Sequence, residues 1–492
     1  MSDQTTFTRR LLLASLAAAG ALSFVTRSAA AQLLARKSRT NPGLAAARLR
    51  ELAGKIHLKG TAEYEQLRLG SVWNARKPAR YPAAIVMVET EQDVVAAVQL
   101  ARAKGWQVGV RSTGHSWVAP HTRDNALLIN LSRMQELSID AVNSAVTVSP
   151  AVQGQVLGKA LREQGLMFPS GHCYGVGLGG YILSGGHGWN SRLWGPACVN
   201  LKALDLVTAA GELIHADADH HSDYYWAARG AGPGFFGVAT RFYLQAHPLP
   251  TTMKASRYVY SADQLEELFT WLRDNMDTFP KILEVLVIGS APNGTPQLRI
   301  SAVALGYSEA EVDAALDILE QAPFAGKALS RSLRNKVVLP ADSEGATPNE
   351  PHGARIALDG MWTNATSAEL VPLLRELFTN FPTRESFAMW QSYGPVQPLP
   401  DMAYSIQADV YLSNGAVYRD AADDARCDAW VTGNMRRLEH LSVGSMMNDE
   451  KMVDRKARFL SELASQRLEA MRSRLDPDHL FVSYLQSPQL GA

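Results

Sequence analysis

The sequence predicts an α+β fold, and three observations carry that prediction. A strand–helix–strand unit begins at Tyr81 and delivers a polar loop; two glycine-rich loops follow within the next 150 residues; and from residue 250 to 440 helix and strand patterns alternate. At 492 residues, with 46% hydrophobic and 20% charged side chains, the chain has length for two or three domains and a large core. Forty-eight basic residues balance forty-eight acidic ones, so no global field points to nucleic acid or to an acidic membrane surface.

Taken in order, the first segment is not expected to join the fold. Thr8, Arg9 and Arg10 lead into LLLASLAAAGALSFV, followed by small residues from Ser28 to Ala31. This is the pattern of a basic n-region, an apolar h-region and a cleavage site before Gln32, and the adjacent arginines resemble a twin-arginine export signal. The apolar run is short for a membrane span. Periplasmic or secreted location follows as an expectation, with no stable membrane insertion once residues 1–31 are removed. Cys173, Cys198 and Cys427 are too few and too odd a number for a disulfide framework, and their spacing offers no metal cluster.

From Tyr81, AAIVMV reads as a strand, VVAAVQLARAKG as a helix ended by Gly105, and WQVGV as a strand that opens the loop RSTGHS. ALLINL and AVTVSP are further strands, and VQGQVLGKALREQG is a helix. LKALDLVTAAGELIH predicts a hairpin turning at Ala210-Gly211. A short helix, the glycine loop RGAGPGFFG and a strand ending near Pro248 complete this region. Beyond it, AEVDAALDILEQA and SAELVPLLRELFTNF read as helices, AYSIQADVYL as a strand, and KARFLSELASQRLEAMRSRL as a long amphipathic helix.

The stretch GHCYGVGLGGYILSGGHGW, residues 171–189, holds eight glycines. Gly175, Gly177 and Gly180 spell G-x-G-x-x-G, but Pro169, Ser170 and Gly171 interrupt the strand that a dinucleotide fingerprint requires. A run this long suits backbone lying against a large polar ligand. On the residues alone, Cys173 reads equally as a small hydrophobe and His115 as a solvated loop histidine.

Together, RSTGHS, GHCYGVGLGG and RGAGPGFFGVATRF resemble the berberine bridge enzyme-like branch of the vanillyl-alcohol oxidase and p-cresol methylhydroxylase superfamily, whose members are FAD-dependent. The resemblance runs from about Tyr81 to His247, weakens, and returns in LDPDHLF. It implies a two-subdomain FAD-binding fold plus a substrate domain with an antiparallel sheet covered by helices. The expected boundaries are a lead-in at 32–77, the FAD domain at 78–250, the substrate domain at 251–440, and a segment at 441–492 that returns to the FAD domain.

In that family the histidine of R-S-x-G-H-S and the cysteine of the glycine stretch are joined to the flavin ring. The resemblance therefore implies FAD held bicovalently through His115 and Cys173. It implies a cradle of Arg111, Ser112, Thr113, Gly114, Ser116, Val176, Gly177, Gly179, Gly180, Gly185, Gly186 and Val238, with Arg111 to Gly114 beside the phosphates. Val176 matches a position where valine accompanies oxygen access, which favours an oxidase over a dehydrogenase.

The chain also departs from the family pattern. Fourteen positions after the cysteine, where many relatives carry tyrosine, stands His187; two after the flavin histidine stands Trp117. The Y-x-N-Y motif is replaced by M-M-N-D, with Met446 and Asp449 in place of tyrosines and Asn448 retained. The catalytic candidates are His187, as base, as a group that orients a hydroxyl or merely as a backbone hydrogen-bonder, and Gln407, Asp409 and Tyr411. Those three alternate along AYSIQADVYL and are expected to share one face. The expected activity is hydride removal from an alcohol-type or related small organic substrate, with molecular oxygen or another acceptor taking the electrons. A dehydrogenase using a periplasmic acceptor and a noncatalytic flavin-binding protein are the alternatives.

Overall fold

The computed structural model describes residues 41–173, 175–337, 353–395, 398–449, 451, 453–455 and 457–485. The expected export signal lies outside the described residues. None of the helices described is long and apolar enough to cross a membrane.

A four-stranded sheet forms first, in spatial order Ile56–Leu58, Ala84–Met87, Leu127–Asn130, Val108–Arg111. The last three are parallel. Their near-continuous apolar runs are what a sheet buried on both faces requires. The helix Glu91–Lys104 connects two of them, and its start is fixed by a capping box between Thr90 and Asp93. Gly105 ends it in the left-handed conformation, at φ +67°.

The second sheet has five strands, in order Leu137–Asp140, Ala145–Val148, Gly237–Gln245, Leu201–Thr208, Leu213–Ala216. Its last two strands are the hairpin expected around Ala210-Gly211. One apolar core joins these two sheets, the helix Glu91–Lys104 and the closing helix Glu462–Leu475. Residues 480–482 then lie along the strand Val108–Arg111, where the Val108 N–H donates to the Leu480 carbonyl and the Val482 N–H to the Val108 carbonyl.

The third sheet is antiparallel and seven-stranded, in order Ser330–Lys336, Thr252–Ser261, Gln297–Gly306, Leu283–Ser290, Phe387–Ser392, Val410–Tyr418, Arg355–Thr363. Alternation gives it two different faces. Leu283, Val285, Ile300, Ala302, Trp390, Val410 and Leu412 pack with residues of the helices Leu265–Asn275, Glu309–Glu320, Ser367–Thr379 and Asp424–Leu438 in a second core. The intervening side chains look the other way, toward the glycine loops.

Candidate active site

Between the glycine loops and the open face of the seven-stranded sheet lies a cavity of about 520 Å³. Four of its side chains form a single row across adjacent strands. Ser301 pairs with Leu286, Leu286 with Gln391, and Gln391 with Tyr411. Glu284, Val303 and Met389 flank that row and also line the cavity.

The facing wall is built by the loops. Arg111, Ser112, Thr113, Gly114, His115 and Ser116 line it from one side; Cys173, Val176, Gly177, Gly179, Gly180 and Gly186 line it from the other. The two stretches touch, because the Gly177 N–H donates to Thr113 Oγ1 at 2.9 Å. A Cβ at Gly177 would sit 2.6 Å from Thr113 Cγ2, and one at Gly179 would sit 2.8 Å from Ser112 Oγ. At Gly180 a Cβ would meet nothing within 4 Å, so the bare backbone there faces open space. Gly177→Ala is expected to cost about 1–3 kcal/mol by crowding Thr113, with weaker cofactor loading read from the ratio of flavin to protein absorbance.

His115 stacks on Trp73, with ring centroids 5.1 Å apart and planes 22° apart. Cys173 is exposed, whereas Cys198 and Cys427 are buried. Burial pushes the Cys198 thiol up to about 12, which removes it as a thiolate nucleophile.

Three cradle expectations change. Arg111 lines the cavity, but its guanidinium donates to the carbonyls of Gly70, Ser71 and Thr113 and to Asn130 Oδ1. Its donors brace the loop. Val238 lies on a strand whose neighbours Gly237 and Ala239 line the cavity; one step along a strand turns the side chain to the opposite face. Gly185 is not on the cavity wall either: at φ +105°, a Cβ there would press on the Tyr404 ring at 2.8 Å.

Of the four catalytic candidates, the structure brings His187 and Tyr411 to the cavity and not Gln407 or Asp409. The strand begins only at Val410. Before it, the Ala403 and Tyr404 N–H groups donate to the carbonyls of Trp226 and Arg229, so period-two alternation does not apply. Asp409 pairs with Arg273 at 3.0 Å, and Gln407 borders a separate small cavity. The cavity-facing glutamine is Gln391.

His187 sits among aromatic rings, 4.9 Å from Tyr393, 5.3 Å from Trp362 and 5.6 Å from Tyr404. Its Nε2 lies 2.7 Å from the Tyr404 hydroxyl. Burial pushes its pKa down to about 3, so the imidazole is neutral at working pH.

Sequence reasoning missed Glu284 as a site residue. Its Oε1 accepts the Asn190 N–H at 2.6 Å and its Oε2 lies 3.4 Å from His172 Nε2, beside Cys173. A lone acid in the apolar strand LEVLVIGS was the available signal.

A family model described as an FAD binding domain matches residues 82–217. FAD-linked oxidoreductase nodO of Hypoxylon pulicicidum is 35% identical over 422 residues, which cover 84% of this chain and 93% of that protein. The chain belongs to the FAD-linked oxidoreductases. This FAD-linked oxidoreductase superposes on 6-hydroxy-D-nicotine oxidase from Arthrobacter nicotinovorans with a TM-score of 0.78 and 21% identity, over 89% of this chain and 98% of that one. Against Physcomitrella patens BBE-like 1 the TM-score is 0.78 at 20% identity, over 91% and 99% of the two chains. The fold is therefore the one the motifs imply. FAD is the family's cofactor, and a long cavity walled by glycine backbone on one side and by a mixed apolar and polar sheet face on the other fits it.

Proposed function

We propose that this protein is an exported oxidase that holds FAD through His115 and Cys173 and oxidises an alcohol-type or related small organic molecule at the expense of oxygen. The observation that carries the reading is that an imidazole stacked on Trp73, on the polar loop RSTGHS, and an exposed thiol, on the glycine-rich stretch, line one cavity. Bound there, FAD supplies a two-electron acceptor.

The chain's own residues bind, orient and shield. Gly177 and Gly179 let the two loops close on Thr113 and Ser112, and bare backbone at Gly180 would leave room for the cofactor. The row Ser301, Leu286, Gln391 and Tyr411 offers the substrate one apolar and three polar contacts in a fixed line. His187, its Nε2 engaged by the Tyr404 hydroxyl, has a fixed ring position and leaves Nδ1 to hydrogen-bond a substrate hydroxyl. Export rests on the arginine-led apolar segment before Gln32.

The test is anaerobic mixing with alcohols, sugars, phenols and alkaloids, followed by air. Bleaching of the flavin by one class, then rapid recolouring with hydrogen peroxide, is the expected result. Slow recolouring would make the protein a dehydrogenase, and no bleaching by any class would favour a noncatalytic flavoprotein. Val176 lines the cavity three residues after Cys173; Val176→Leu is expected to slow recolouring while leaving bleaching unchanged.

A further inference from the structure

We propose that Asp449 is the base that accepts the substrate proton, with Tyr411 as its positioning residue. The proposal rests on the oxidase reading above and names a group for which the motif comparison had only a missing tyrosine.

Asp449 lies half-buried in the cavity wall, at the end of a segment clamped to the edge of the seven-stranded sheet. The Val443 N–H donates to the Trp362 carbonyl, the Trp362 N–H to the Gly444 carbonyl, and Ser445 Oγ to the Gly360 carbonyl at 2.7 Å. These bonds set the following four residues, Met446 to Asp449, over the cavity.

The Tyr411 hydroxyl donates to Asp449 Oδ2 at 3.0 Å. On the adjacent strand Tyr411 pairs with Trp362, and its ring crosses Gly360 two residues away, where a Cβ would stand 2.3 Å from the phenol oxygen, so the bare glycine lets the hydroxyl reach Asp449. Trp117 supplies a second side-chain hydrogen bond to the carboxylate. Two donors fix its direction.

Other proton acceptors on the cavity wall are less suited. His187 is neutral with a pKa of about 3, too weak a base for an alcohol or amine proton. Both oxygens of Glu284 face partners, the Asn190 N–H and the His172 ring. Asp449 has the opposite character: burial pushes its carboxyl up to about 6, against the Tyr411 and Trp117 hydrogen bonds that pull it down. The charged groups behind it are the Asp359–Arg455 pair, which acts on Tyr411. A carboxylate of this strength is deprotonated at pH 7 and basic enough to take a proton as the bond to carbon breaks.

With FAD bound, a substrate H–C–X–H, with X oxygen or nitrogen, would give up the X-bound proton to the Asp449 carboxylate, the cofactor supplying the acceptor for the carbon-bound hydrogen and its electron pair. The product is C=X, the substrate is oxidised by two electrons, and the carboxyl returns its proton to solvent.

The test uses flavin-loaded protein. In infrared difference titration, the wild type is expected to show a carboxylic acid band that disappears as pH rises through about 6, absent from Asp449→Asn and shifted to higher pH in Tyr411→Phe, which loses a donor to the carboxylate. With the panel compound that bleaches wild-type flavin fastest, Asp449→Asn should bleach about 100-fold or more slowly at unchanged flavin content. The wild-type rate should rise with pH through the same titration, because only the deprotonated carboxylate is a base. A band that persists in Asp449→Asn, or a bleaching rate within tenfold of wild type, overturns the proposal alone. A panel that leaves wild-type flavin coloured overturns the oxidase reading as well.

Discussion

Acid denaturation of the wild type is expected to leave all the yellow colour in the pellet, and denaturation of the double variant His115→Ala/Cys173→Ser to release all of it. Unfolding destroys every contact that depends on the cavity but not a covalent bond. Each single variant keeps one bond and should keep a yellow pellet. The arrangement gives physical grounds for both attachments. Cys173 is exposed while the other two thiols are buried, and the His115 ring is held against Trp73 rather than turning freely. Cys198→Ser serves as the control, since burial holds that thiol in its unreactive protonated form. Colour in the wild-type supernatant would refute covalent attachment.

The second large effect is on stability. Asp359 and Arg455 form a two-pronged ion pair, with Arg455 Nε and Nη2 donating at 2.8 and 2.7 Å, and their side chains are only 1% and 2% exposed. Nη2 also donates to the Gly360 carbonyl, which Ser445 shares. Asp359→Ala leaves a buried guanidinium without its partner and is expected to lower stability by about 3–5 kcal/mol. The double variant Asp359→Leu/Arg455→Met, which removes both charges together, should recover much of that loss. Denaturant titration followed by intrinsic tryptophan fluorescence checks both. A loss below about 1 kcal/mol in Asp359→Ala would mean that this pair does not hold the segment bearing Asp449.

Much of the fold was legible in the sequence because its signals are local. The strand Ala84–Met87, the capped helix from Glu91 and the hairpin at Ala210-Gly211 each carry their own pattern within about a dozen residues. The glycine stretch likewise pointed, from composition and motif, to residues that line one wall of the cavity. The substrate wall was harder. AYSIQADVYL alternates throughout, yet Ala403 and Tyr404 are bonded to Trp226 and Arg229 and the strand starts only at Val410, so Gln407 and Asp409 do not share a strand face with Tyr411. FAMWQS alternates as well, and there the strand is real: Met389 and Gln391 face the cavity while Ala388 and Trp390 enter the core.

What no local pattern could reveal is convergence from distant segments. Tyr404 meets His187 from 217 residues away, and Asp449 meets Tyr411 across 38. The acid in SMMNDE looks like an ordinary polar turn residue until the sheet edge lifts it over the cavity. Likewise, no local pattern shows that Arg111, on the cavity wall, also braces its loop through three carbonyls and an asparagine.

Tryptic cleavage after Arg123 and Arg162 places His115 and Cys173 on different peptides. Mass spectrometry of digested, flavin-loaded protein should find these two peptides bridged by one FAD. Recovery of both peptides without flavin, from protein that still carries its full complement of FAD, would contradict bicovalent attachment.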